Sequence, residues 1–234
     1  FIAYFQNFSN TYLPPDLFGS ALAQAALPNI VGADISTRPD CIAKEYLDIL
    51  KRFSVSSGLD IGIELGLQTV NYHTLKKLNR GHTLAEFIDS IYQIHPYGFP
   101  VCAHLILDLP DDTPEDVIEC AKILSALRVS SVKLHSLYIV KNTVCHEQYQ
   151  SGSLRLLSPG EYADRCVLFL RHLSPEITVQ RLIGRAPEED TVIANYHMSW
   201  WRIKDMILEK MERLSAIQGD LCDYLGGKAV RHFI

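Results

Sequence analysis

The chain has 234 residues, 47% of them hydrophobic and 21% charged, which suits a globular α/β protein with one sizeable core and excludes wholesale disorder. A formal net charge of −5 gives no support to chain-wide attraction to nucleic acid. No apolar run reaches the roughly 18–20 residues that span a bilayer, and no charged, apolar and small-residue leader pattern occurs.

The chain opens at Phe1 inside FIAYF (1–5), a strand-like run, and a core strand is an unusual place to begin, so further residues are expected upstream. Past Pro14 and Pro15, which suit a first helical turn, the pattern predicts a helix over 14–26. NIVGADIS (29–36) reads as a second strand, followed by a helix around 42–53. DIGIELGL (60–67) is the third, with short helices predicted over 73–78 and 84–94. PVCAHLIL (100–107) leads through LPDDTPED to a helix over 115–126. SVKLHSLYIV (131–140) precedes a less regular stretch and a helix over 159–173, and ITVQRLI (177–183) closes the series. Beyond it, 199–214 is strongly helical, with Trp200, Ile203, Ile207 and Met211 at three- and four-residue spacing.

Six strand–helix alternations imply parallel strands joined by right-handed crossovers. Polar residues sit inside the strands: Asp34, Glu64, His104, His135 and Gln180. A barrel lumen hosts such residues more naturally than a sheet covered on both faces. No G-x-G-x-x-G follows any strand, so the dinucleotide fingerprint is absent. The expected architecture is an α/β partial barrel, with its chemistry at the C-terminal strand ends.

Those ends supply the candidates. The first strand is followed by Gln6-Asn7-Phe8-Ser9-Asn10-Thr11, the second by Ser36-Thr37-Arg38-Pro39-Asp40. Glu64 and Gln68 flank Gly66, Arg80 and His82 follow a short helix, and Lys133 and His135 lie in the fifth strand. Plain structural roles compete with functional ones: Asp40, Asp112 or Thr113 as helix caps, Arg38 paired with Asp40, a strand histidine as a satisfied core residue. An acid within an apolar strand is costly unless it is paired or solvated at a site, which marks Glu64 as functional. There is no H-x-H, H-E-x-x-H or G-x-S-x-G, and the six cysteines form no C-x-x-C, as expected of reduced thiols in a cytoplasmic protein.

Several strand-end segments, in order, resemble the radical S-adenosylmethionine (SAM) superfamily, in particular its YhcC-like "Fe–S oxidoreductase" group. They are Tyr4-Phe5-Gln6 with Asn10-Thr11-Tyr12, Ser36-Thr37-Arg38-Pro39-Asp40, Glu64-Leu65-Gly66-Leu67-Gln68-Thr69, Leu78-Asn79-Arg80-Gly81-His82, and Cys102-Ala103-His104-Leu105-Ile106 with Leu109-Pro110. Val132-Lys133-Leu134-His135 and Gln180-Arg181-Leu182 extend the match to about Gly184. The resemblance implies a partial (β/α)6 barrel over 1–184 and a C-terminal helical extension over 185–234. It also implies SAM bound across the strand ends, a [4Fe-4S] cluster passing one electron to the sulfonium, and a 5′-deoxyadenosyl radical that takes a hydrogen atom from substrate. An electron donor such as flavodoxin or ferredoxin would feed the cluster.

By the same resemblance, Glu64 and Gln68 would bind the SAM ribose and methionyl end, and Arg80 would grip its carboxylate, for which a guanidinium fork is suited. Gln6, Asn10 and Thr11 would stand near the SAM ammonium, while Arg38, His104 and His135 would face SAM or substrate. The sequence also departs from the family. Asp108-Leu109-Pro110-Asp111-Asp112-Thr113 stands in place of Gly-Leu-Pro-Gly-Glu-Thr, and Gly184-Arg185 in place of Gly-Asp. No C-x-x-x-C-x-x-C occurs, so the first barrel strand and the cluster cysteines are expected upstream of Phe1, and these residues alone would not cleave SAM. Two other readings remain open: a barrel kept without its cluster as a binding or regulatory module, and a barrel enzyme using Glu64 and His104 as acid and base.

Overall fold

The computed structural model describes residues 1–6, 9–185 and 190–233. Its strands are β1 (Ile2–Phe5), β2 (Gly32–Thr37), β3 (Asp60–Gln68), β4 (Val101–Ile106), β5 (Ser131–His135), β6 (Ile139–Val140), β7 (Thr178–Arg181) and β8 (Thr191–Ile193). Six of them form one sheet in the order β1-β2-β3-β4-β5-β7, every neighbouring pair parallel. The sheet curls into a half-barrel, the partial barrel expected from the sequence.

Alternation along each strand sorts the side chains. Ile35, Ile63, Leu65, Ala103, Leu105, Val132 and Leu134 are fully buried in the core beneath the helices. The register aligns Tyr4 with Asp34, Ser36 with Glu64 and His104 with Lys133, so the in-strand polar residues share the concave face.

The helices are α1 (Pro15–Ala23), α2 (Lys44–Ser57), α3 (Tyr72–Lys77), α4 (Leu84–Ile94), α5 (Pro114–Ala126), α6 (Val144–Gln150), α7 (Pro159–His172) and α8 (Trp200–Arg213). Reciprocal capping boxes start α4 (Thr83 with Glu86), α5 (Thr113 with Asp116) and α7 (Ser158 with Glu161), fixing where each connection from the sheet ends. None of the helices among the described residues is long and apolar enough to cross a membrane.

The structure differs from the sequence expectation in one region. The run 131–140 is two strands, because β5 ends at His135 and the Leu137 N–H turns aside to donate to the Asp108 carboxylate at 2.7 Å. β6 then pairs antiparallel with β8 in a separate two-stranded ladder. α6 fills part of the stretch that read as irregular; it buries no residue, so it carries no apolar period. α8 packs on α7 and sinks Ile203 and Ile207 into the same core.

Candidate functional site

A row of hydrogen-bonded side chains crosses the concave face from β1 to β7. At its centre the Glu64 carboxylate, 2% exposed, accepts from Tyr4 Oη at 2.7 Å, from His104 Nε2 at 2.7 Å and from Lys133 Nζ. Burial alone would push Glu64 up, but the bonds from His104, Lys133 and Tyr4 outweigh it and hold it at about 2. Farther along, the His104 and His135 rings stack at 5.2 Å, with His135 Nε2 3.2 Å from His104 Nδ1. Arg181 Nη2 reaches His135 Nε2 at 2.7 Å. Burial, then the charges of Arg181, His104 and Lys133, push His135 down to about 3.

Above this row, at the C-terminal strand ends, lies a cavity of about 620 Å³ lined by Asn10, Arg38, Gly66, Gln68, Arg80 and His104, among others. Its shape comes from unusual backbone. Gln68 ends β3 in the left-handed region (φ 71°) beside a register shift against β4, and Asn79 (φ 51°) and Gly81 (φ 74°) place Arg80 on a tight turn. At Gly66 a Cβ would come within 2.6 Å of the Gln68 amide nitrogen and 3.4 Å of Arg80 Nη2, so glycine lets both side chains close over the strand. Arg80 forms no ion pair among the described residues: its Nε is buried without a hydrogen bond, and burial followed by the nearby Arg38 charge pushes its pKa down against the pull of Asp40. A desolvated guanidinium with unmade bonds is costly, and an anion placed before it would remove that cost.

The other candidates fall at different depths. Asn10 donates to the Phe5 and Ser36 carbonyls, tying the loop after β1 to the end of β2. Thr11 is buried with its hydroxyl on Thr37 at 2.6 Å, and Gln6 is exposed; neither lines the cavity. Asn7 and Phe8 lie outside the described residues. Arg38 pairs with Asp40 over Gly81, and Asp40 caps no helix. Glu64 lies below the cavity rather than in its wall, and His104 joins the two.

A second cavity of about 400 Å³, the inner one along the sheet, lies beside it at the ends of β4 and β5, sharing Gln68, Arg80 and His104 with the first and adding His135, Ile106, Leu109 and Leu137. Its floor is the loop after β4. There Asp108, 1% exposed, accepts from Tyr196 and from Leu137 N, and burial raises it to about 6. Thr113 is the cap of α5 as the plainer reading has it, whereas Asp112 instead accepts from Thr74 Oγ1 at 2.6 Å.

For metal ligation, the group that converges among the described residues is Glu64, Cys102 and His104, with ligand atoms within 4.8 Å of one another. The Lys133 ammonium already sits on that carboxylate and supplies the cation. No three thiols converge among the described residues: Cys102, Cys120 and Cys166 are buried on β4, α5 and α7, and Cys41, Cys145 and Cys222 are half-buried elsewhere. The cysteines here do not fit a cluster. Sequence reasoning singled out Lys133 but passed over Tyr4 and Arg181 as site residues; strand alternation gives the face of each, and the register supplies the pairing with Glu64 and His135.

Comparison with known proteins gives the same picture. The family model for the radical SAM superfamily matches residues 10–124, and that for the radical SAM C-terminal domain matches 129–213. The uncharacterized protein MJ0486 of Methanocaldococcus jannaschii is 37% identical over 221 residues, covering 94% of this chain and 68% of its own length. Protein YhcC of Escherichia coli K12 is 32% identical over 187 residues, 80% of this chain and 60% of its own. The solved structure of archaeal Methanocaldococcus infernus Elp3 superposes with a TM-score of 0.74 at 15% identity, covering 93% of this chain and 55% of that one, a likeness of fold. The chain thus spans between three fifths and about two thirds of these two sequence relatives.

Proposed function

Because this chain belongs to the radical SAM superfamily, we propose that its outer cavity holds SAM and that it forms the cofactor-binding barrel of an enzyme whose 5′-deoxyadenosyl radical acts on a substrate in the inner cavity. The observation that carries the reading is Arg80, a half-buried guanidinium at the cavity wall with no carboxylate bonded to it among the described residues. The SAM carboxylate is the group its fork suits. Gln68 and Asn10 line the same cavity and supply amide donors and acceptors for the ribose and the amino-acid end. Glu64, its oxygens taken by three donors, acts by fixing His104, which reaches the cavity. Arg38, beside Asp40, guards the mouth.

SAM fits these residues; a [4Fe-4S] cluster does not, since no three thiols converge among them. The electron that cleaves SAM therefore depends on ligands other than these cysteines, with a flavodoxin or ferredoxin as the donor class. The barrel over 1–184 and the extension over 185–234 are proposed as its two parts.

Equilibrium dialysis of SAM against the wild-type protein and Arg80→Gln tests the site. Losing a charge-assisted bidentate bond of about 1.5–3 kcal/mol should weaken binding roughly ten- to hundredfold; unchanged binding in a folded variant would reject it. The enzymatic part is tested on the full-length protein, reconstituted anaerobically with iron and sulfide. Release of 5′-deoxyadenosine under reductant is expected, and SAM binding without release would favour a binding module.

A further inference from the structure

We propose that the part of the substrate seated in the inner cavity is an uncharged, mainly hydrocarbon body bearing one hydrogen-bonding group, which the Tyr138 hydroxyl meets. The inference deepens the SAM reading and rests on it for one point, that Arg80 is taken by the SAM carboxylate.

Most polar side chains on the wall of this cavity spend their hydrogen bonds within the protein. His104 Nε2 lies 2.7 Å from the Glu64 carboxylate, and its Nδ1 lies 3.2 Å from His135 Nε2. Arg181 Nη2 sits 2.7 Å from His135 Nε2 and 3.3 Å from His135 Nδ1, so both nitrogens of that ring are covered by the guanidinium. With its pKa pushed down to about 3, chiefly by burial, the His135 ring is neutral near pH 7. Ser136 is buried, and its hydroxyl donates to Asn195 Oδ1 at 2.8 Å. Neither histidine nor the serine offers a ligand a free donor.

Gln68 and Arg80 also line the outer cavity, where SAM claims them. What remains is aliphatic, with Ile106, Leu109 and Leu137 on the wall, and one phenol. Leu78 and Tyr138 stand at the rim, each 40% exposed, so a seated apolar body would cover them. The Tyr138 hydroxyl has no hydrogen bond among the described residues, and a phenol both donates and accepts, which suits a ligand hydroxyl or carbonyl. No carboxylate lines this cavity among the described residues, so an ammonium would meet no acid on its wall. With Arg80 engaged, a carboxylate would meet no free cation there either. An unpaired ion is strongly disfavoured on such a wall, whereas a hydrocarbon gains with each methylene it buries.

Three probes that share one hydrocarbon body and differ in charge test this: 3-phenylpropan-1-ol, 3-phenylpropanoate and 3-phenylpropylamine. Each is titrated by ligand-observed NMR against protein saturated with SAM. The alcohol should bind at least about tenfold more tightly than either ion. Tyr138→Phe, an isosteric change at the rim, should weaken the alcohol by about three- to tenfold. Ile106→Phe, which narrows the cavity, should weaken it at least about fivefold; unchanged SAM binding and melting curves control for folding in both variants. An ion that binds within tenfold of the alcohol, no alcohol binding by the SAM-loaded protein, or an alcohol affinity indifferent to either substitution overturns the proposal. Alcohol binding that shows both dependences in a protein that takes up no SAM would instead count against the SAM reading alone.

Discussion

Asp108 shows what a single side chain contributes to the site's framework. Its carboxylate is buried at the floor of the inner cavity, held by Tyr196 and Leu137, yet burial still lifts it from 3.8 to about 6. The native state therefore binds a proton that the unfolded chain releases over this window. Stability from this group is full below pH 4 and is lost as pH rises through about 6, a swing of roughly 3 kcal/mol. In Asp108→Asn, Oδ1 keeps the Leu137 bond and the tyrosine hydroxyl turns to accept, so that slope should vanish. Urea unfolding at pH 4.5 and 7.5 for both proteins checks it; an unchanged slope would show that other groups carry the pH dependence. A second residue-scale test is Gly66→Ala, whose methyl displaces Gln68 and Arg80 rather than backbone, so SAM binding should weaken several-fold while the melting curve moves little. Glu64 was legible in the sequence because a lone acid in an apolar strand has a cost that needs an explanation. Its partners were not: Tyr4 and Lys133 lie 60 and 69 residues away along the chain, and only the register brings them onto one carboxylate.

At the scale of elements, periodicity and caps did the predicting. The capping boxes at Thr83, Thr113 and Ser158 follow the S/T-x-x-D/E pattern, and the helices behind them begin at or within one residue of where apolar spacing places them. Thr113→Ala should cost about 0.5–2 kcal/mol, read as a lower urea midpoint with unchanged slope, because it frees the Asp116 N–H and loosens the loop that floors the inner cavity. What escaped was short or unpatterned. β8 has three residues, and α6 has no buried face, so neither carries a period. The break between β5 and β6 hangs on one side-chain-to-backbone bond from Leu137 to Asp108, a long-range contact that no local rule exposes.

At the scale of the whole molecule, the parallel half-barrel followed from strand–helix alternation plus polar residues in strands, and the site then fell at the strand ends. The relation of residues beyond 184 to that barrel was not legible, because an amphipathic helix announces a buried face but not what it is buried against. In the structure α8 lies on α7 with Ile203 and Ile207 fully buried in the barrel's own core, while Tyr196 hydrogen-bonds Asp108 under the inner cavity. A segment anchored at both the back and the floor should unfold with the barrel rather than before it. Ile207→Ala removes buried methyl and methylene groups far from the outer cavity and should cost about 2–5 kcal/mol. It is expected to lower the melting temperature in one cooperative step, with SAM affinity unchanged when measured well below that temperature. Two separate transitions, or a variant that loses stability only in its C-terminal amides by hydrogen exchange, would show instead that the extension is an independently folding layer.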